Sequence, residues 1–319
     1  MSDLWEAGLG GAEPARSALS VQHPAPCAAG GAGVALSAAG HTPGDALRTW
    51  QDYESSAQLL AALSTTAGLL GVCYLLGFLQ LPVLRLLEGY WPQQGVLGRL
   101  QRRRTGRQRE KATAGWERVN ALHEASDHSA ASALAARLLV AYPPPSRLSD
   151  GCRATALGNR LRAAEYYPLE RYGVDAVVLW TRLRALLPSD AADRVAGART
   201  ALDATVSLLA VLAAFGTVWP IVLVIRGDLP LAAVSLLAWP IAWIAYRAAL
   251  QAGVSYGNEI RVAFDLHRRL MLRHLDLDVP SDPDEERRLW DSLSQFYQRN
   301  VPLGPGTADQ RSAAPDPPH

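Results

Sequence analysis

The sequence predicts an all-α membrane protein with about three transmembrane helices, a helical domain between the first and second, and amphipathic helices at the C-terminus. Three observations predict it. About 70 residues fall in three stretches without a charged side chain, 55–84, 204–225 and 229–246, each at or above the roughly 18 residues needed to cross a hydrocarbon core. The last two are joined by only Arg226, Gly227 and Asp228, a tip short enough to make them a helical hairpin. Elsewhere apolar residues recur three and four apart with proline stops and almost no alternation, the pattern of helices rather than strands. Core helices of a large soluble protein can also be apolar all round; three such stretches, two of them paired, weigh against that reading.

Residues 1–54 are rich in Ala, Gly, Pro and Ser without helical or strand period, which predicts a disordered segment. They open with Asp3 and Glu6 rather than a basic region before an apolar run, so no signal peptide is expected there. The first stretch fits a tilted helix over 59–84, and the segment to residue 92 places Tyr90 and Trp91 at the headgroup level, where amphipathic rings are favoured. Residues 98–141 read as one long polar-to-amphipathic run that Pro143, Pro144 and Pro145 stop. A helix over 153–166 should end before Pro168. The next carries the stripe Ala176, Trp180, Leu183, Leu187 and ends before Pro188, after which Ser189 or Asp190 caps a helix running into the second span. These make 93–203 a helical domain continuous with the hairpin at 204–247.

After the third span the helix should continue to His274 with Ala263, Phe264, His267, Leu270, Met271 and His274 on one face, and stop by Pro280. Ser281 or Asp282 then caps a last helix, with Pro283 and Glu285 in its first turn and the stripe Leu289, Trp290, Leu293, Phe296, Tyr297. These form the C-terminal segment 248–300, and 301–319 is a disordered tail.

Arginines near the apolar ends set orientation. Arg85, Arg99, Arg102, Arg103, Arg104, Arg107 and Arg109 follow the first stretch, and Arg247, Arg261, Arg268 and Arg269 follow the third. The preceding sides carry only Arg48 and Arg226. The expected topology is N-out and C-in across the bacterial cell membrane, with the central domain and C-terminus cytoplasmic.

Composition excludes several function classes. The 319 residues are 49% hydrophobic and 19% charged, and 31 basic against 30 acidic residues leave a net charge of +1, which gives no global attraction to nucleic acid. Nearly all the basic residues are arginine, Lys111 being the one lysine, as expected from a GC-rich bacterial genome. Cys27, Cys73 and Cys152 are odd in number and widely spaced, so neither a disulfide framework nor a CxxC metal site is available. No Walker loop, dinucleotide fingerprint or nucleophile elbow occurs. Ionisable groups within the apolar stretches are limited to Cys73 and the tyrosines Tyr74 and Tyr246, which disfavours ion-coupled transport by one chain.

The stretches PVLRLLEGYWP at 82–92 and LGNRLRAAEYYPLERYGVDAVVLWTRL at 157–183 resemble segments of a family of uncharacterised bacterial multi-pass membrane proteins. The resemblance covers roughly residues 55–300. It implies membrane location and no chemistry.

Four groups of residues are candidate sites. His123, Glu124 and His128 resemble a zinc-peptidase pair with its general base, but that chemistry places the histidines four apart on one helix face. The spacing of five here separates them by about 140° on a regular helix. Glu165, Tyr166, Tyr167, Glu170, Arg171, Tyr172 and Asp175 gather charge and aromatic surface around Pro168 and Gly173. They read either as a helix corner held by its own ion pairs or as a partner or ligand site. Arg102, Arg103, Arg104, Arg107 and Arg109 lie just past a membrane exit and could contact lipid headgroups. Gly253 with Gly257, and Ala67 with Gly71, have the small-xxx-small spacing that permits close helix approach. The leading expectation is a non-enzymatic anchor, scaffold or sensory component that binds a protein partner or itself and needs no cofactor. The alternatives are a membrane metallopeptidase using His123, Glu124 and His128, or a subunit of an oligomeric channel or transporter.

Overall fold

A computed structural model describes residues 63, 82–92 and 94–302 of the chain. The expectations for 1–54, for most of the first apolar stretch with its Ala67/Gly71 pair, and for the tail beyond residue 302 lie outside those residues. The described helices belong to the unit that holds Val83–His319, and no strand occurs among the described residues.

After a helical segment over 83–88 come α1 (Gly95–Glu124), α2 (His128–Ala141), a 3-10 turn at Pro145–Arg147 and the short α3 (Leu148–Gly151). Then follow α4 (Ala156–Tyr172), α5 (Ala176–Ala185), α6 (Ser189–Arg226), α7 (Leu229–Ser235), α8 (Ala238–His274) and α9 (Pro283–Arg299).

The run 98–141 is not one helix but a hairpin. Ser126 takes a left-handed backbone with φ 60°, and the Asp127 carboxylate accepts the Ala130 amide at 3.0 Å, capping α2 as a short acid does. Val119, Ala131 and Leu138 form its buried seam. A second small cluster of Ala112, Leu148 and Cys152, covered by Trp116 and Tyr142, ties α1 to α3.

The helix expected over 153–166 runs instead from Ala156 through Pro168 to Tyr172. Pro168 forfeits one intrahelical bond, but Leu157, Leu161, Ala164 and Pro168 are all buried, and that packing holds the last turn on. The end comes at Gly173, φ 75°, whose amide bonds the Leu169 carbonyl while Val174 bonds that of Pro168, a left-handed glycine stop of the αL kind. Neither Ser189 nor Asp190 caps α6: Pro188 is the N-cap residue. Asp282 does cap α9, accepting the Glu285 amide at 3.2 Å.

The principal core is a single cluster in which Leu157, Leu179, Trp180, Phe264, Met271, Leu272 and Trp290 are fully buried. It joins α4, α5, the first half of α6, α8 from Ala249 onward, and α9. The stripes of α5 and α9 point into it as their spacing requires, with Ala176, Trp180 and Leu183 buried on one and Leu289, Trp290 and Leu293 on the other. The α4/α8 crossing is tight because α8 offers glycine there. A Cβ on Gly253 would sit 2.8 Å from Leu157, and one on Gly257 2.9 Å from Ala164. The small-residue spacing read from the sequence is thus used within the chain.

Two helical stretches, Ser189–Arg226 and Leu229–His274, are long and apolar enough to cross a membrane. Their apolar windows are only 22% and 28% buried, unlike core helices of a soluble protein. Val218, Ile221, Ile225, Leu237, Trp243 and Ile244 are all exposed. The third apolar stretch is not one regular helix. It breaks at Leu236 and Leu237 between α7 and α8, one turn ahead of Pro240, whose ring crowds the carbonyl four residues back. Pro220 leaves the Gly216 carbonyl without its helical donor, and the Trp239 indole N–H supplies one at 3.0 Å from α8. A Cβ on Gly216 would lie 3.2 Å from the Trp239 ring, so glycine admits that donor.

Candidate functional site

The most unusual chemistry of the described residues is a buried charged node where the 83–92 segment meets α4. Arg162 and Glu165, one turn apart on α4, form an ion pair at 2.7 Å with side chains 5% and 9% exposed. Thr155 caps the helix by accepting the Gly158 amide. Against that first turn lies the end of the 83–88 helix. A Cβ on Gly158 would sit 2.0 Å from the Glu88 carbonyl oxygen, so no other residue admits the segment there. Gly89 then turns the chain with φ 88°.

This contact drives the Glu88 side chain into the interior, where it is 2% exposed. Its Oε1 has no hydrogen-bond partner, and neither has Nε of Arg153 or of Arg162. Glu88, Tyr90, Arg153, Gly158, Leu161, Arg162 and Glu165 line a cavity of about 10 Å³, room for about one water molecule. Arg153 is fixed from two sides. Its backbone amide and carbonyl both bond the Asn159 side chain, at 2.6 and 3.2 Å, and its guanidinium lies 4.4 Å from the Tyr90 ring centre while donating to the Tyr90 hydroxyl at 3.2 Å. Burial, with Glu165 adding to it, pushes the Glu88 carboxyl up to about 8, against the opposing pull of Arg199, Arg153 and Arg85. At neutral pH Glu88 is therefore mainly a neutral acid, and the node can hold or release one proton without changing its covalent frame.

A second polar cluster joins α4, α8 and α9. Asp265 accepts from the Tyr167 hydroxyl at 3.0 Å and the Tyr172 hydroxyl at 2.7 Å. Arg268 lies 3.7 Å over the Tyr172 ring and bonds Glu286 at 2.8 Å, as does Arg269. Burial pushes the Tyr167 hydroxyl up to about 12, with the hydrogen bond to Asp265 acting the same way. For the Glu286 carboxyl, burial raises and the bonds from Arg269 and Arg268 outweigh it, leaving it below the ordinary range.

The residues grouped around Pro168 and Gly173 in the sequence are divided among several tasks. Glu165 belongs to the buried node, and Arg162 sits over the Tyr166 ring at 5.4 Å. Tyr167 and Tyr172 hold Asp265, with the Arg171 guanidinium 5.9 Å from the Tyr167 ring. Glu170 accepts from the Ser146 hydroxyl at 2.7 Å, and Asp175 caps α5 through the Val177 amide. His123 and His128 flank the α1/α2 turn. Because the helix ends between them, their Nδ1 atoms come to 3.3 Å instead of the separation a regular helix imposes. No group of three or more His, Cys, Asp or Glu that could hold a metal occurs among the described residues. Arg102, Arg103, Arg104, Arg107 and Arg109 are exposed along α1, and Arg109 also donates to the Ser149 carbonyl.

Sequence reasoning found Glu165 but missed Glu88, Tyr90, Arg153 and Arg162. The one available signal was a lone carboxylate between Leu87 and Gly89 just past an apolar stretch, which is indistinguishable in sequence from an ordinary interfacial acid. No protein-family model, no curated protein and no solved structure matches the chain.

Proposed function

We propose that this chain is an integral membrane protein whose α6–α8 hairpin anchors a helical domain at the cytoplasmic face, where the domain acts as a non-enzymatic scaffold or sensory component that binds a protein partner. One observation carries the reading. The apolar segments of α6 and α8 expose their large side chains, yet the same two helices continue unbroken into the principal core. A surface of that kind is stable in lipid and unstable in water. The arginine excess beyond residues 85 and 247 supports the cytoplasmic placement of the domain, and the shared helices make it an extension of the anchor rather than a tethered module.

The test is biochemical. After an alkaline carbonate wash the chain stays with the membrane pellet, and release into the supernatant overturns the reading. On a cysteine-free background, Asp228→Cys at the hairpin tip should react with an impermeant maleimide on intact cells, and Gln298→Cys on α9 only after permeabilisation. The reverse pattern overturns the orientation. Mild-detergent purification should return a near-stoichiometric protein partner; recovery of the chain alone removes the scaffold role.

A further inference from the structure

The first turns of α1 carry a surface that the anchor alone does not explain. Val96, Leu97 and Leu100 are 78%, 52% and 39% exposed, while Gly98 and Ala112 on the opposite side are buried. At 100° per residue, Val96, Leu97 and Leu100 share one outward face, and Arg103, Arg104 and Arg107 continue along it one to two turns on. All three arginines are exposed. No carboxylate interrupts the helix before Glu110. The face is therefore apolar at its start and purely cationic beyond.

Its place in the fold selects the partner. Leu87 packs on the hairpin cluster of Leu209, Ala242 and Ala245, so the segment leading to α1 runs beside the inner part of the apolar belt. The Gln101 amide donates to the Gly89 carbonyl at 3.2 Å, and Arg104 sits 5.8 Å over the Trp91 ring. Arg104 is also close enough to Tyr246, at the end of the third apolar stretch, to act on it electrostatically. The exposed patch thus begins at the level where the hairpin leaves its apolar belt.

We propose that the N-terminal turns of α1 are an interfacial docking element for anionic phospholipid. Val96, Leu97 and Leu100 enter the boundary of the acyl chains, and Arg103, Arg104 and Arg107 bind the headgroup phosphates. Charge complementarity and continuity with the apolar belt single out the bilayer; a protein ligand for this face would be expected to meet mixed charge. Each arginine near an anionic surface contributes about five-fold in binding, so the three together bias α1 strongly toward the docked position. The inference rests on the membrane reading above, and its test separates the two.

The full chain is placed in nanodiscs, with Val96→Cys carrying an environment-sensitive fluorophore on a background of Cys27→Ser, Cys73→Ala and Cys152→Ala. A parallel sample carries the label at Ile221→Cys in the hairpin. In discs of phosphatidylcholine with phosphatidylglycerol, the label at 96 should emit to the blue and be quenched by a shallow acyl-chain spin label. In phosphatidylcholine alone, or with Arg103→Glu, Arg104→Glu and Arg107→Glu combined, quenching at 96 should fall several-fold while that at 221 persists. A water-like signal at 96 in both lipids with 221 quenched overturns the docking proposal and leaves the anchor standing. Quenching at 96 that ignores both lipid charge and the triple reversal overturns the role of the arginines. Loss of quenching at both positions overturns docking and anchor together.

Discussion

Replacing Glu88 by glutamine tests the buried node through its pH dependence. The wild-type carboxyl has its pKa in the fold raised from the ordinary 4.5 to about 8, so the folded chain keeps a proton there that the unfolded chain gives up. A group raised on folding contributes stability that is fully present below the unfolded value and is lost as pH rises through the folded one. Between about pH 5 and 8 the slope is about 1.4 kcal/mol per pH unit, a total of a few kcal/mol. For a chain of this size that corresponds to a fall in Tm on the order of 10 °C. Glu88→Gln keeps the shape of the neutral acid and removes the titration, so its Tm should match wild type near pH 5 and exceed it increasingly toward pH 8 and 9. The assay is thermal unfolding of both proteins in the same mild detergent across that range. Only the difference between the two curves is read, because every other titrating group is common to both. Parallel curves would refute the reasoning, since they would mean that Glu88 is ionised in the fold or hydrated well enough not to care.

Other perturbations address neighbouring claims. Gly158→Ala places a Cβ 2.0 Å from the Glu88 carbonyl; it should destabilise by about 3 kcal/mol and open the 89–94 connection to limited proteolysis, whereas Gly197→Ala, with nothing within 4 Å of its Cβ, should do neither. Trp239→Phe removes the donor that serves the Gly216 carbonyl and should cost about 1 kcal/mol; adding Pro220→Ala, which restores the helical donor, should recover most of it, and additive losses would refute the pairing. Glu286→Ala strands Arg268 beside Trp290 and should cost about 3 kcal/mol in denaturant unfolding. Because the Glu286 carboxyl is depressed in the fold, the stability it contributes is present above the ordinary carboxylate value and should fade as pH drops below it.

What the sequence disclosed and what it hid follow from where the free energy resides. The stripes of α5 and α9 were legible because burial there is one-sided: Trp180 and Trp290 recur at helical spacing with other core residues and leave a periodic trace. The α1/α2 turn was not, because Ser126 and Asp127 join two helical runs without glycine or proline to punctuate the joint. Pro168 misled in the opposite sense, since a proline that ends a solvent-exposed helix is retained when it lies on the buried face, here the one that also carries Leu157, Leu161 and Ala164. Of the sites, the arginines of α1 could be placed because exposure follows from charge. The buried node could not, since it unites Glu88 with Arg153, Arg162 and Glu165 across more than sixty positions, and no local pattern reports a carboxylate that burial has neutralised.

The close contacts of α4 determine how a change in the 83–92 segment would travel. At its first turn Gly158 meets the Glu88 backbone with no room for a methyl group. On its α8-facing side Leu157, in the same turn, and Ala164, in the middle, fill the space left by Gly253 and Gly257 of α8. At its end the Arg287 guanidinium of α9 donates to the carbonyls of Glu170 and Arg171. Closely packed interfaces of this kind transmit displacement instead of absorbing it. Ionising Glu88 would place a second carboxylate charge beside Glu165, and the relief available is either movement of the 83–92 segment or admission of water. The first route shifts α4 against α8 and α9; the second leaves them in place. Solvent protection of the Trp290 surroundings, compared between pH 6 and 9 in wild type and in Glu88→Gln, distinguishes them, because only the first route makes the C-terminal helix respond to a proton held at the opposite end of α4.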